Sequence, residues 1–225
     1  MKVQLLQCTD LALAAFAAKT CTGNKAAEYT QQEDIRLLSN CLDKHHDSIF
    51  EHLVYSFEIR GASRALLQEL ARHRLCSMSV QSTRFALAKM TEDDIDESSR
   101  IFGSLIDRAA NRGSEEHEAL KHLQKMVMQT ICEVRRLKCQ YPKLPNDVLK
   151  YALPDVTTTD ITFTVNAREL AHIFELRTAS AALREFRELC LAIYDAIHFT
   201  TQGAHDILFD YCGVNWGDLR KELRE

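Results

Sequence analysis

The chain has 225 residues, 46% of them hydrophobic and 27% charged, which is the balance of a soluble globular protein. Its formal net charge of −4 supplies no global positive field, which argues against a general nucleic-acid or membrane binder and makes any anion recognition local. No apolar run approaches the ~20 residues needed to cross a bilayer.

At the N-terminus, Leu11 to Ala18 are small and apolar, but Lys2 is the only base before them and Asp10 interrupts the approach. A buried strand and helix is the expectation there, rather than a secretion signal. The eight cysteines (Cys8, Cys21, Cys41, Cys76, Cys132, Cys139, Cys190, Cys212) form no CxxC pair or ligand cadence. They read as reduced thiols of a cytoplasmic protein. His45 and His46 are adjacent and point apart on a helix or strand, so no metal site is expected.

Residues 45–52, HHDSIFEH, are a first polar cluster. Over residues 54–60, Tyr55, Phe57 and Ile59 alternate with Ser56, Glu58 and Arg60, the pattern of a half-buried strand. Ser63 can cap the next helix, whose core face is Ala65, Leu66, Leu67, Leu70 and Ala71. Residues 72–84 then hold three arginines and a histidine within thirteen positions. Arginine offers planar bidentate donors for phosphate and carboxylate, and such a cluster is costly unless an anion offsets the repulsion. The segment is therefore a candidate anion site. Ser82, flanked by arginines, could hydrogen-bond a phosphate or act as a nucleophile, although no His and Asp pairing is signalled.

A helix is expected from about Thr91 to residue 112, broken by Gly113 and Ser114. A second long helix follows with Leu120, Leu123, Val127, Ile131, Val134 and Leu137 at helical spacing, ending before Pro142. Met126 and Met128 read as packing residues. Residues 161–165 form a strand, with Ile161, Phe163 and Val165 inward. Asn166 stands where a helix N-cap belongs. In that helix Leu170, Ile173 and Phe174 form the apolar side, and Arg168, His172 and Glu175 share a polar stripe. Arg177, among small residues, suits a functional role and a solvent-reaching one equally. A final long helix is expected over 181–199, with Leu183, Phe186, Leu189, Cys190 and Ile193 facing a core. Few strands and dominant helices point to an α+β fold, one domain over residues 1–225, with a small mixed or antiparallel sheet. There is no GxGxxG, Walker A or GxSxG sequence.

Arg72-His73-Arg74, seven residues, then Ser82-Thr83-Arg84 resembles the signature of the flavin-dependent thymidylate synthases. The resemblance extends to the FEH lead-in at 50–52, to Ala152-Leu153-Pro154, to Thr164 through Arg168, to His172, and to Leu176-Arg177, in the family's order; the AAKTC stretch at 17–21 is a weaker echo. It implies a homotetramer with active sites between subunits, FAD as cofactor, and synthesis of dTMP from dUMP. Methylenetetrahydrofolate would supply the carbon and NADPH would re-reduce the flavin. By position, Ser48, Arg72, His73, Arg74, Asn166, Ala167, Arg168 and His172 would hold FAD, with a main-chain contact at Val80 and His46 near flavin or folate. Glu69, Gln81, Ser82, Thr83, Arg84, Lys150 and Arg177 would meet dUMP, with Arg72 able to bridge both ligands. Arg177 would be the catalytic residue, with no protein nucleophile.

The sequence departs from the family pattern at four places. Lys150 replaces a frequent arginine, Glu69 a glutamine, Val80 a polar residue and Phe85 a tyrosine. A carboxylate at Glu69 is unfavourable beside dUMP unless it faces away or pairs with an arginine. The rival readings are a nucleotide- or flavin-binding module without turnover, and an RNA- or DNA-binding helical protein. The negative charge and the few aromatics near residues 72–84 argue against the latter.

Overall fold

Strand β2 (Val54–Ser63) lies inside a four-stranded antiparallel sheet with β1 (Lys2–Cys8), β3 (Cys76–Val80) and β4 (Thr158–Asn166), in the order β1-β2-β4-β3. The computed structural model describes residues 1–23, 30–87, 95–96, 98–101, 103, 114–210 and 212–224. The helix expected from Thr91 to 112 lies largely outside these residues, and so does the side chain of Phe85.

The period-two pattern of the strands becomes transverse rows across the sheet. Leu5, Phe57, Phe163 and Met78 are in register, as are Val3, Ile59, Ile161 and Val80. Tyr55, Phe57, Ile59 and Phe163 are fully buried, and withdrawing each such apolar side chain from water contributes roughly 1.5–3 kcal/mol. The opposite face is polar: Ser56, Thr164 and Ser77 share a row, with Ser56 Oγ 2.9 Å from Thr164 Oγ1. At Gly61 β2 bulges; a positive φ of 73° suits glycine, and its N–H donates to Asp160 Oδ1 at 3.0 Å.

Helices cover the apolar face. Before β2 come α1 (Leu11–Cys21) and α2 (Gln31–Asp43), joined by the largely buried Lys19–Asp34 ion pair at 2.9 Å. A 3-10 segment, Asp47–His52, follows. Ser63 caps α3 (Arg64–Leu70) by accepting from Leu66 N–H at 3.0 Å, and that helix buries Leu66 and Leu70. Next come α4 (Thr83–Ala86), α5 (Ser114–Gln140) and α6 (Asn146–Leu149). Helix α5 ends before Pro142, yet of its expected stripe only Ile131 and Val134 are buried, while Leu123 is exposed.

Asn166 caps α7 (Ala167–Arg177) by accepting from Glu169 N–H at 2.9 Å, and Leu170, Ile173 and Phe174 are buried. The helix expected over 181–199 is α8 (Arg184–Thr201), which buries Phe186, Leu189, Cys190, Ile193 and Ile197; Leu183 is its exposed N-cap. Two elements go beyond the sequence reading after α8: α9 (Ile207–Asp210) and α10 (Trp216–Arg224). Trp216 stacks on Tyr194 of α8 with ring centroids 4.1 Å apart. No helix among the described residues is long and apolar enough to cross a membrane.

Candidate active site

The residues after α3 turn back into β3, so the arginine segment is built around a strand. All five residues from Cys76 to Val80 pair with β4; Cys76 and Met78 are half-buried, while Ser77 and Ser79 are exposed. Arg72, His73 and Arg74 precede this strand, and Ser82, Thr83 and Arg84 follow it. The two halves are separated by at least about 13 Å of extended chain at ~3.3 Å per residue.

The first half meets α7. His73 is buried; Arg72 and Arg74 are exposed. Arg177, in the last turn of α7, donates from Nε to His73 Nε2 at 3.0 Å and from Nη1 to Glu69 Oε2 at 2.8 Å. Its guanidinium lies 5.0 Å from the centre of the Phe186 ring, within cation–π range. Arg177 is therefore held on three sides rather than released to solvent. Glu69 has the arginine partner that its charge requires.

On the far side of His73, Nδ1 is 3.5 Å from Glu169 Oε1, and Glu169 is itself buried. Burial and the Arg177 cation hold the imidazole below its usual pKa, against the opposing pull of Glu169. An acceptor at Nε2 and a depressed pKa together define a neutral ring whose proton sits on Nδ1 toward the carboxylate. Glu169 is a site residue that sequence reading missed. Its place three residues after the Asn166 cap reads as a helix-capping glutamate, which hides its contact with His73.

His172, one turn from Glu169, has its ring centre 6.3 Å from that of His73 and faces a cleft of about 780 Å³. Asn166, Ala167, Arg168, Glu169 and His172 line this cleft from one side. His45, Asp47, Glu51 and Phe50 line it from the 3-10 region, with Leu75 at its edge. Arg168 Nη1 contacts Glu51 Oε1 at 2.5 Å, both exposed. Ser48 and His46 are exposed in the same region; the neighbouring His45 and Asp47 line the cleft. His45 has a positive φ of 55°, an uncommon conformation for a non-glycine residue.

The second half of the arginine segment forms a separate patch. Ser82 is the N-cap residue of α4, and the exposed Arg84 has its Nε 3.5 Å from Asp147 Oδ1. Asn146 Nδ2 donates to the Arg84 carbonyl at 2.5 Å, tying α4 to α6. Gln81 is fixed through its backbone, N–H to Asp160 O at 2.9 Å and C=O from Thr159 Oγ1 at 3.3 Å. Val80 is exposed at the end of β3. Lys150 Nζ lies 5.3 Å from the centre of the exposed Tyr151 ring. Within one chain, Arg177 bonds both Glu69 and His73, residues 166–169, 171 and 172 line a cleft, and Ser82 to Arg84 and Lys150 are not among its lining residues.

The family model described as "Thymidylate synthase complementing protein" matches residues 4–199. A flavin-dependent thymidylate synthase from Wolinella succinogenes is 35% identical over 205 residues, covering 88% of this chain and 93% of the relative. One from Helicobacter pylori is 31% identical over 227 residues, covering 94% and 99%. A crystal structure of the Helicobacter pylori thymidylate synthase X with FAD and dUMP superposes with a TM-score of 0.72 at 30% identity, covering 94% of this chain and 98% of that one. By sequence and by fold, this chain belongs to the flavin-dependent thymidylate synthase family.

Proposed function

We propose that the chain is an FAD-dependent thymidylate synthase of the methyltransferase class, making dTMP from dUMP with methylenetetrahydrofolate and NADPH as co-substrates. The observation that carries the reading is the arrangement around Arg177: a fixed guanidinium supported by a neutral histidine, beside a cleft that can admit a flavin.

The cleft suits part of such a cofactor. Its volume lies within the ~300–1,000 Å³ of ligand pockets, with Phe50, Leu42 and Leu75 as apolar wall and Arg168, His172 and His45 as polar groups. Arg168 must exchange Glu51 for a ligand phosphate. An exposed ion pair of this kind contributes only about 0.2–1 kcal/mol, so the exchange costs little. Bound FAD would supply the hydride chemistry; the residues of this chain bind, orient and stabilise charge.

Ser82 and Thr83 offer hydroxyls and Arg84 a guanidinium to the dUMP phosphate. Lys150 adds a point charge in place of a bidentate contact. Arg177 spends one donor on His73 and one on Glu69, leaving its remaining N–H groups for the pyrimidine edge. A fixed cation there favours the ionised, enolate-like form of the ring, and preorganisation of this kind is commonly a large catalytic term. The neutrality of His73 matters because a protonated Nε2 could not accept from Arg177 Nε and would set a second cation against the guanidinium. The protein is read as a cytoplasmic homotetramer; sites that join residues of different subunits would bring the Ser82–Arg84 patch, which does not line the cleft, to the bound ligands. Residues 1–225 are read as one domain.

The first test is flavin content. The purified protein is expected to be yellow and to release FAD on denaturation. A colourless protein that takes up no added FAD contradicts the reading.

A further inference from the structure

Arg177 is the last residue of α7, and the residue after it is also held. Thr178 caps the helix, its Oγ1 donating to Phe174 O at 2.7 Å. Its carbonyl, one of the groups a helix C-terminus leaves without an intrahelical partner, accepts from Arg187 Nε at 3.3 Å. Arg187 follows Phe186, whose ring packs against the Arg177 guanidinium. Adjacent residues of α8 thus grip both the side chain of Arg177 and the backbone just beyond it.

Arg187 is only 4% exposed, and a buried guanidinium needs a compensating anion. Glu222 of α10 provides it, pairing with Arg187 Nη2 while half of its own side chain stays in solvent. Helix α10 has other fasteners. Arg220 Nη1 donates to Asp195 Oδ2 at 2.8 Å, and Arg184 Nη2 donates to the Leu223 carbonyl at 2.5 Å. These contacts hold α10 to α8 without reaching α7. The Glu222–Arg187 pair continues to the residue next to Arg177, whereas the direct apolar contact of α10 with α7, Trp216 against Phe174 with ring centroids 4.9 Å apart, involves no charge. The family match ends at residue 199, so Glu222 lies beyond the matched segment.

We propose that Arg187, charge-compensated by Glu222, is a positioning residue for Arg177, so that the C-terminal helix sets the geometry of the nucleotide site. The inference rests on the role of Arg177 given above. Without Glu222, Arg187 turns toward solvent, the Thr178 carbonyl loses its donor and the end of α7 loosens. Small misplacements of a positioned group are costly even when the change lies far from the chemistry.

The test compares FAD-loaded Glu222→Ala, Glu222→Gln and Arg220→Ala with wild type. It measures dUMP affinity from the flavin absorbance change, kcat/KM for dUMP, and Tm. Glu222→Ala is expected to weaken dUMP binding and lower kcat/KM by about tenfold. Glu222→Gln, which keeps an acceptor for Arg187, should recover much of that loss. Arg220→Ala should lower Tm while leaving dUMP affinity near wild type. In an Arg177→Ala background Glu222→Ala should add no further loss, because the group it positions is gone. The inference is overturned if Glu222→Ala behaves like Arg220→Ala, with lower Tm and unchanged dUMP affinity, or if its effect persists in full without Arg177. If Arg177→Ala alone leaves dUMP binding and turnover unchanged, the reading of Arg177 itself falls, and this inference with it.

Discussion

Arg177 donates from Nε to Nε2 of His73 at 3.0 Å, and that bond sets the state of both side chains. The acceptor nitrogen must be unprotonated, so the imidazole is neutral and turns its proton toward Glu169. The guanidinium in turn is fixed in plane by His73 and Glu69, with the Phe186 ring beside it.

This arrangement predicts the acid dependence of stability. Burial first, then Arg177, lowers the His73 pKa; burial lowers that of His205, whose Nδ1 is 2.8 Å from Tyr55 Oη. The unfolded chain takes up these protons near pH ~6.5, whereas the folded protein resists them to lower pH. The unfolded state therefore binds more protons in this window, and stability falls as pH drops below about 6.5 toward the folded values. Urea denaturation between about pH 7.5 and 5 should show that fall, and His73→Gln should flatten it. A stability that rises on acidification through this range contradicts the neutral assignment.

Glu69 restrains Arg177 but places a negative charge near the proposed dUMP site. Glu69→Gln retains an oxygen for Arg177 Nη1 and removes a negative charge that opposes the anionic form of the pyrimidine. Because the pair is partly exposed, its electrostatic worth is of order 0.2–1 kcal/mol. A fall in KM for dUMP of up to about fivefold is expected, with little change in Tm. Steady-state kinetics check this, and a markedly raised KM would show that the carboxylate charge is itself required.

Cys76 stands inside the signature but is not poised as a nucleophile. Its Sγ donates to the His73 carbonyl at 2.8 Å, and burial, reinforced by Glu169, pushes the thiol pKa up. Thiolate chemistry needs the opposite shift. Cys76→Ala should form dTMP at close to the wild-type rate in a product assay, and loss of turnover with FAD retained would reopen covalent catalysis.

Much of this fold is legible in residue spacing. The alternation Tyr55, Phe57, Ile59 became the buried face of β2, and Ser63 and Asn166 cap the helices they precede. Strand β3 escaped because Cys76 to Val80 is short, lies at a sheet edge and mixes small polar with apolar residues. Helix α10 escaped because its nine residues are mostly charged or polar, and its Trp216 and Leu219 anchors carry little periodic signal. The stripe of α5 shows the converse: apolar spacing marks a face, yet Leu123 on that face is exposed within this chain. At the site, His73, Glu69 and Arg177 could be named from sequence. Their mutual contact could not, because it depends on how α3 and α7 pack, and Glu169 was hidden behind an ordinary capping pattern.

The proposed role of Arg177 is to stabilise charge on the nucleotide in an FAD-dependent synthesis of dTMP. Its most direct test is dTMP formation from dUMP, methylenetetrahydrofolate and NADPH by wild type and by Arg177→Ala, each with its FAD content measured. Product is expected from the wild type, with a loss of about 10²–10³-fold or more in the variant while much of its FAD is retained. Equal product formation by the two proteins, or none from FAD-loaded wild type, would contradict it.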